Sequence, residues 1–126
     1  MNKNEVPADI RRYILTSVPS VPFLEAVLLL RAESDRDWDA PLLARRLYVG
    51  DRTAVDLLAQ LEAAGIAEST GVEAAVRYAP REELRDLLDR VAHAYAADLV
   101  AITDLIHSRI DKRAQQFADA FRFRKE

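Results

Sequence analysis

From Leu84 onward, apolar residues recur at steps of three and four through Leu88, Val91, Tyr95, Leu99, Ile102, Ile106 and Ile110, and no proline or glycine occurs between Arg81 and Glu126. That spacing lays one apolar stripe along one side of a helix. Leu87, Ala94, Ala101 and Leu105 widen the stripe, and Asp98 falls beside it on a more solvated flank. A helix with this pattern can run for about 30 residues, or about 45 Å. The segment that precedes it is too small to cover the whole stripe. The surplus must meet another chain, or the helix must fold back in two pieces. Self-association is therefore the expectation. Its contacts are Leu84, Leu88, Val91, Tyr95, Leu99, Ile102, Ile106 and Ile110, joined by Phe117 and Phe121 of the tail. The stripe does not fix whether two such helices run parallel or antiparallel.

A chain of 126 residues points to one compact unit. It divides into a head, residues 1–80, and a long C-terminal helix with an aromatic and basic tail, residues 81–126. The chain is 50% hydrophobic and 31% charged, which is the balance of a folded protein and not of a disordered one. It has no cysteine, which excludes disulfides and thiolate metal sites. Met1–Asp9 holds charges and a proline but no apolar run, unlike a signal peptide. The greasiest stretch, Phe23–Leu30, is interrupted by Glu25 and falls short of the roughly 20 residues a membrane span needs. A cytoplasmic protein with no membrane partner is the expectation.

Local signals divide the head. Asp9 is placed to cap a short helix ending near Val18, and Pro19, Ser20 and Pro22 break it. Ser20 with Pro22 starts a second helix that runs to about Ala32 and is apolar on nearly every side, so it belongs at the centre. Trp38, the only tryptophan, follows a charged loop and is expected to close the core, its indole N–H seeking one partner. Asp39 ahead of Pro41 starts a third helix that ends at Val49-Gly50, where glycine is expected to turn left-handed. Asp51 caps a fourth, with Ala54, Leu57, Leu58, Leu61 and Ala64 as its stripe, Leu57 near the edge, and Gly65 as its stop. Ile66–Thr70 and Ala74–Ala79, joined by Gly71-Val72-Glu73, read as a hairpin that Pro80 ends.

The stretch from Asp39 to Tyr78 resembles the winged helix-turn-helix domain of small bacterial transcription regulators, in the broad manner of the MarR and PadR families. The resemblance runs through Trp38, Leu42-Leu43-Ala44-Arg45-Arg46-Leu47, the turn Val49-Gly50-Asp51, and Ala54 to Ile66. It implies a mainly α fold: a winged helix-turn-helix head with a small β-hairpin wing and a long C-terminal helix for dimerisation. It further implies a homodimeric regulator that binds double-stranded DNA, with residues Asp51–Ala64 as the recognition helix. Arg52, Thr53 and Gln60 would reach bases or phosphates from that helix, and Arg45, Arg46 and Arg77 would hold phosphates.

Charge qualifies that expectation. The whole chain carries a net −3. From Asp39 to Ala79 six acids (Asp39, Asp51, Asp56, Glu62, Glu68, Glu73) stand against four arginines, whereas nucleic-acid affinity rests on positive charge facing phosphates. The alternative is a winged-helix module that docks a protein and does not bind DNA. Lys3, Arg11 and Arg12 would offset the deficit if they lay on the same side.

Catalysis is not expected, and neither is a cofactor. His93 and His107 stand two heptads apart, about 21 Å along a helix. Asp104, His107 and Asp111 share a face but have no further ligand nearby. No serine has a histidine in a context that suggests activation, and there is no glycine-rich phosphate loop.

Overall fold

The computed structural model describes residues 6–124, with the side chains of residues 113 and 119–124 outside that description. The chain forms a mainly helical body with one small antiparallel hairpin and a long C-terminal helix. The order is α1 (Ala8–Ser17), α2 (Val21–Ala32), α3 (Ala40–Leu47), α4 (Asp51–Ala63), β1 (Ala67–Ser69), β2 (Val76–Tyr78), α5 (Glu82–Ala97) and α6 (Leu99–Arg124).

Two helix starts follow from their capping residues. The Ser20 side chain accepts a hydrogen bond from the Phe23 N–H at 3.2 Å, and Asp39 Oδ1 accepts one from the Leu42 N–H at 3.0 Å. Each satisfies a donor that the first turn of a helix leaves without a partner. α1 and α4 start otherwise. Pro7 precedes α1 and Gly50 precedes α4, neither with a side-chain cap. Asp9 and Asp51 instead lie in the first turns, where a carboxylate complements the helix dipole.

The turn between α3 and α4 corrects one expectation. Gly50 has an ordinary φ of −70°, and the left-handed residue is Tyr48, at φ 58° and ψ 45°. The Tyr48 N–H still bonds the Ala44 carbonyl, so the reversal comes two residues earlier than glycine would have placed it.

α2 is the central helix: Phe23, Leu24, Ala26, Val27 and Leu30 are all buried. It packs on α3, α4 and β2. α4 turns Ala54, Leu57, Leu58 and Leu61 inward, Leu57 as fully as the rest, while Ala64 stays exposed. In the hairpin Ala67 pairs with Tyr78, Glu68 with Arg77 and Ser69 with Val76. Trp38 adds an isolated antiparallel bridge to β2, exchanging backbone hydrogen bonds of 2.7 and 2.8 Å with Val76. Its ring is fully buried, and its indole N–H has no partner among the described residues.

The C-terminal stripe is two helices and not one. Asp98 separates them at φ −152° and ψ 80°, its N–H closing α5 on Ala94 and its carboxylate accepting from the Ala101 N–H at 3.0 Å to open α6. The residue that reads as a solvated flank is a helix cap. α6 folds back to pack on both α1 and α5. Leu88, Val91, Ile102 and Ile106 are thereby fully buried within their own chain.

Among the described residues no single helix is long and apolar enough to cross a membrane. α1 and α2 reach that length only as a pair bent by 115°, and their apolar residues Ile10, Ile14, Phe23, Leu24 and Leu30 belong to the core.

Candidate docking face on helix α4 and the hairpin

α3, the Tyr48 turn and α4 present one continuous outer surface beside the hairpin. Leu43, Ala54, Leu58 and Leu61 are buried on the inner side. Arg45, Arg52, Thr53, Asp56 and Gln60 are exposed on the outer side. Of the six side chains expected to meet DNA, Arg45, Arg52, Thr53 and Gln60 thus stand in solvent.

The other two are engaged within the chain. Arg46 donates from Nη1 to Glu33 Oε1 at 3.2 Å and from Nη2 to Glu33 Oε2, a bidentate grip. Arg77 donates from Nε to Asp37 Oδ1 at 2.9 Å and reaches the same oxygen with a second nitrogen. Paired guanidinium and carboxylate groups of this geometry are charge-assisted and directional. The Arg46 hydrogen bonds hold the Glu33 carboxyl below its usual range, and Glu33 in turn raises the Arg46 guanidinium. Neither arginine is therefore an uncommitted cation awaiting a phosphate.

Sequence reasoning missed these partners. Glu33 is 13 residues from Arg46, and Asp37 is 40 residues from Arg77. The available signal was the charged loop 33–37 ahead of Trp38, which lays acids beside the tryptophan that Arg36 and Arg46 flank. Their guanidinium carbons lie 6.0 and 5.4 Å from its ring centroid.

What remains on the outer surface is acidic and partly apolar. Asp51, Asp56 and Glu62 on α4 and Glu68 and Glu73 in the hairpin are exposed, as are Arg45 and Arg52. Tyr48 is 95% exposed, Val55 55% and Val72 61%. Arg11 and Arg12 do not offset the acids here, because α1 packs on α5 and α6.

The expected self-association residues divide three ways. Leu88, Val91, Ile102 and Ile106 are core residues of the single chain, and Leu84 and Tyr95 are half-buried against that core. These six are occupied by intrachain packing. Leu99, Ile110 and Phe117 are exposed, at 52%, 43% and 73%. Phe121 lies outside the described side chains.

His93 and His107 are both exposed, and the described residues contain no group of three histidine or carboxylate side chains placed to hold a metal ion. Burial pushes the Tyr78, Tyr13 and Tyr95 hydroxyls up, and the negative charges of Asp89 and Glu25 add to the shift at Tyr78 and Tyr95 respectively. Comparison with protein-family models, with curated proteins and with solved structures found no match.

Proposed function

We propose that this chain is a winged-helix protein-docking module, with α3 and α4 as the helix pair, Trp38 and the hairpin as the wing, and α4 as the helix offered to a partner. One observation carries the reading: Arg46 and Arg77 are neutralised by Glu33 and Asp37, which leaves Arg45 and Arg52 against five exposed acids. A surface of that sign repels a phosphate backbone. The partner it fits is a protein surface carrying lysine or arginine around an apolar centre that receives Tyr48, Val55 and Val72. Charged rims select such partners while apolar anchors hold them.

The DNA-binding regulator is the second reading, favoured by the exposure of Arg45, Arg52, Thr53 and Gln60 on one side of the α3–α4 pair. Titration of a fluorescent random-sequence duplex at low salt separates the two. The docking reading expects no binding at duplex concentrations up to about 100 μM, a level at which non-specific DNA binders are normally engaged. Micromolar binding that falls steeply with salt and is lost in Arg52→Ala would replace it with the DNA reading.

The homodimer belongs to the same proposal. Leu99, Ile110 and Phe117 lie eleven and seven residues apart, close to whole numbers of helical turns, so they line one side of α6. Sedimentation of the wild type against Ile110→Ser with Phe117→Ser tests it. A dimer is expected for the first and a monomer for the second.

A further inference from the structure

A pocket of about 490 Å³ lies where the end of α2 and the loop after it meet β2 and α5. That volume is in the range of small-molecule sites. Two ion pairs hold its walls. Arg31 Nε donates to Asp89 Oδ1 at 2.8 Å, which ties α2 to α5, and Arg77 of β2 is held by Asp37.

The Tyr78 hydroxyl is the unexplained group in this pocket. Tyr78 is 8% exposed, and its oxygen has no hydrogen-bond partner among the described residues. A buried hydroxyl in that position has given up water and gained no bond in return. Beyond burial itself, the groups that act on its pKa are Asp89, Arg31 and Arg85. All three line the pocket, so the hydroxyl is aimed into it.

Two charges of opposite sign are uncommitted beside it. Arg85 and Asp35 both line the pocket, and among the described residues neither has an ion-pair partner. The other charges cancel, Arg31 against Asp89 and Arg77 against Asp37. A simple anion would answer Arg85 and leave Asp35, and a simple cation would do the reverse. A zwitterion answers both.

We propose that this pocket binds a small polar α-amino acid, its carboxylate on Arg85 and the Tyr78 hydroxyl and its ammonium on Asp35. A guanidinium fork matches a carboxylate, and a hydroxyl adds a neutral donor. The Tyr78 oxygen is covered in the free chain. Arg85 is exposed and tied to no carboxylate, so it can turn and bring a ligand's carboxylate against that oxygen. Ala32 is the one aliphatic residue in the lining, and the Ser34 hydroxyl joins it, which suits a short polar side chain. The inference does not rest on the docking face of α4, since none of Tyr48, Val55 and Val72 lines this pocket.

The test is an amide-resolved NMR titration of the full chain with L-serine, β-hydroxypropionate and ethanolamine. The last two lack the ammonium and the carboxylate of serine. L-Serine is expected to shift the amides of Ser34, Tyr78 and Arg85 saturably in the millimolar range, with both fragments at least about fivefold weaker. Arg85→Gln and Tyr78→Phe are each expected to weaken serine at least about fivefold. Tyr78→Phe removes an oxygen that bonds nothing in the free chain, so its urea midpoint is expected to be no lower than that of the wild type. Arg81→Gln removes a charge four residues earlier, outside the pocket, and is expected to change affinity less than about twofold. No saturable shift up to about 50 mM serine would overturn the proposal. So would either fragment binding as tightly as serine, equal losses in the Arg81 and Arg85 variants, or wild-type affinity in Tyr78→Phe.

Discussion

Arg46 lies over the buried ring of Trp38, its guanidinium carbon 5.4 Å from the ring centroid, while its terminal nitrogens hold the carboxylate of Glu33. A side chain of the type that grasps phosphate is here a lid on the core. Arg46→Ala is expected to open one face of the only tryptophan, shifting its fluorescence maximum to the red and lowering the urea midpoint. Arg46→Lys is expected to recover little of either, because an ammonium neither forks nor stacks. Emission identical to wild type in both variants would show that the ring has no such cover.

Acid sensitivity follows from two ion pairs. The Arg46 hydrogen bonds hold Glu33 below its ordinary value of 4.5, and those of Arg90 hold Asp9 below 3.8. A carboxyl group with a depressed folded-state pKa binds fewer protons folded than unfolded. Its stabilising contribution is complete above the ordinary value and is lost as pH falls through the depressed one. Stability is therefore expected to decline from about pH 5 downward. Glu33→Gln is expected to flatten part of that decline in urea midpoints measured across the range. Both groups are solvated, so each contribution is small.

Tyr48 combines a left-handed backbone with 95% exposure. Left-handed geometry costs a residue with a β-carbon about 1–2 kcal/mol, and glycine adopts it without that cost. Tyr48→Gly is expected to raise stability by about 1 kcal/mol in urea unfolding. The same substitution is expected to weaken capture of a protein partner if the ring is an anchor of the docking face. A loss of stability would mean that the turn derives support from the ring.

Burial separates two roles along α6. Ile106 is fully buried against its own chain, whereas Ile110 is 43% exposed. Ile106→Ala is expected to cost about 2–5 kcal/mol, by the same amount at every protein concentration. Ile110→Ala is expected to act chiefly on the concentration dependence of the melting temperature. Concentration-dependent melting altered by Ile106→Ala would move that residue to an interface between chains.

Local chemistry made much of the fold legible. Ser20 and Asp39 cap the helices they precede because a side-chain oxygen and an N–H three residues on need no distant help. The central place of α2 was readable from its apolar surround, and the hairpin from its flanking runs and Gly71. The break at Asp98 was not, since a continuous helix satisfies the same local preferences. The break gains from burying Ile102 and Ile106 among helices far away in the sequence. The same distance hid the site. Arg77 and Asp37 stand 40 residues apart, and Arg90 and Asp9 stand 81 apart, so composition could count their charges but not cancel them. Of the four arginines expected to present a cationic face, Arg45 and Arg52 are exposed on α3 and α4, while Arg46 and Arg77 are paired with acids that only folding brings near.

The seating of α1 on α6 gives the chain a definite order of completion. The helix synthesised earliest among those described is covered by the one synthesised last, with some eighty residues between them. The α2–α4 cluster can condense from contacts made over short loops, while Ile10 and Ile14 stay without their far wall until α6 has emerged and doubled back at Asp98. Closure over such a span slows the final step. A lesion in α6 should therefore register first as faster amide exchange in α1.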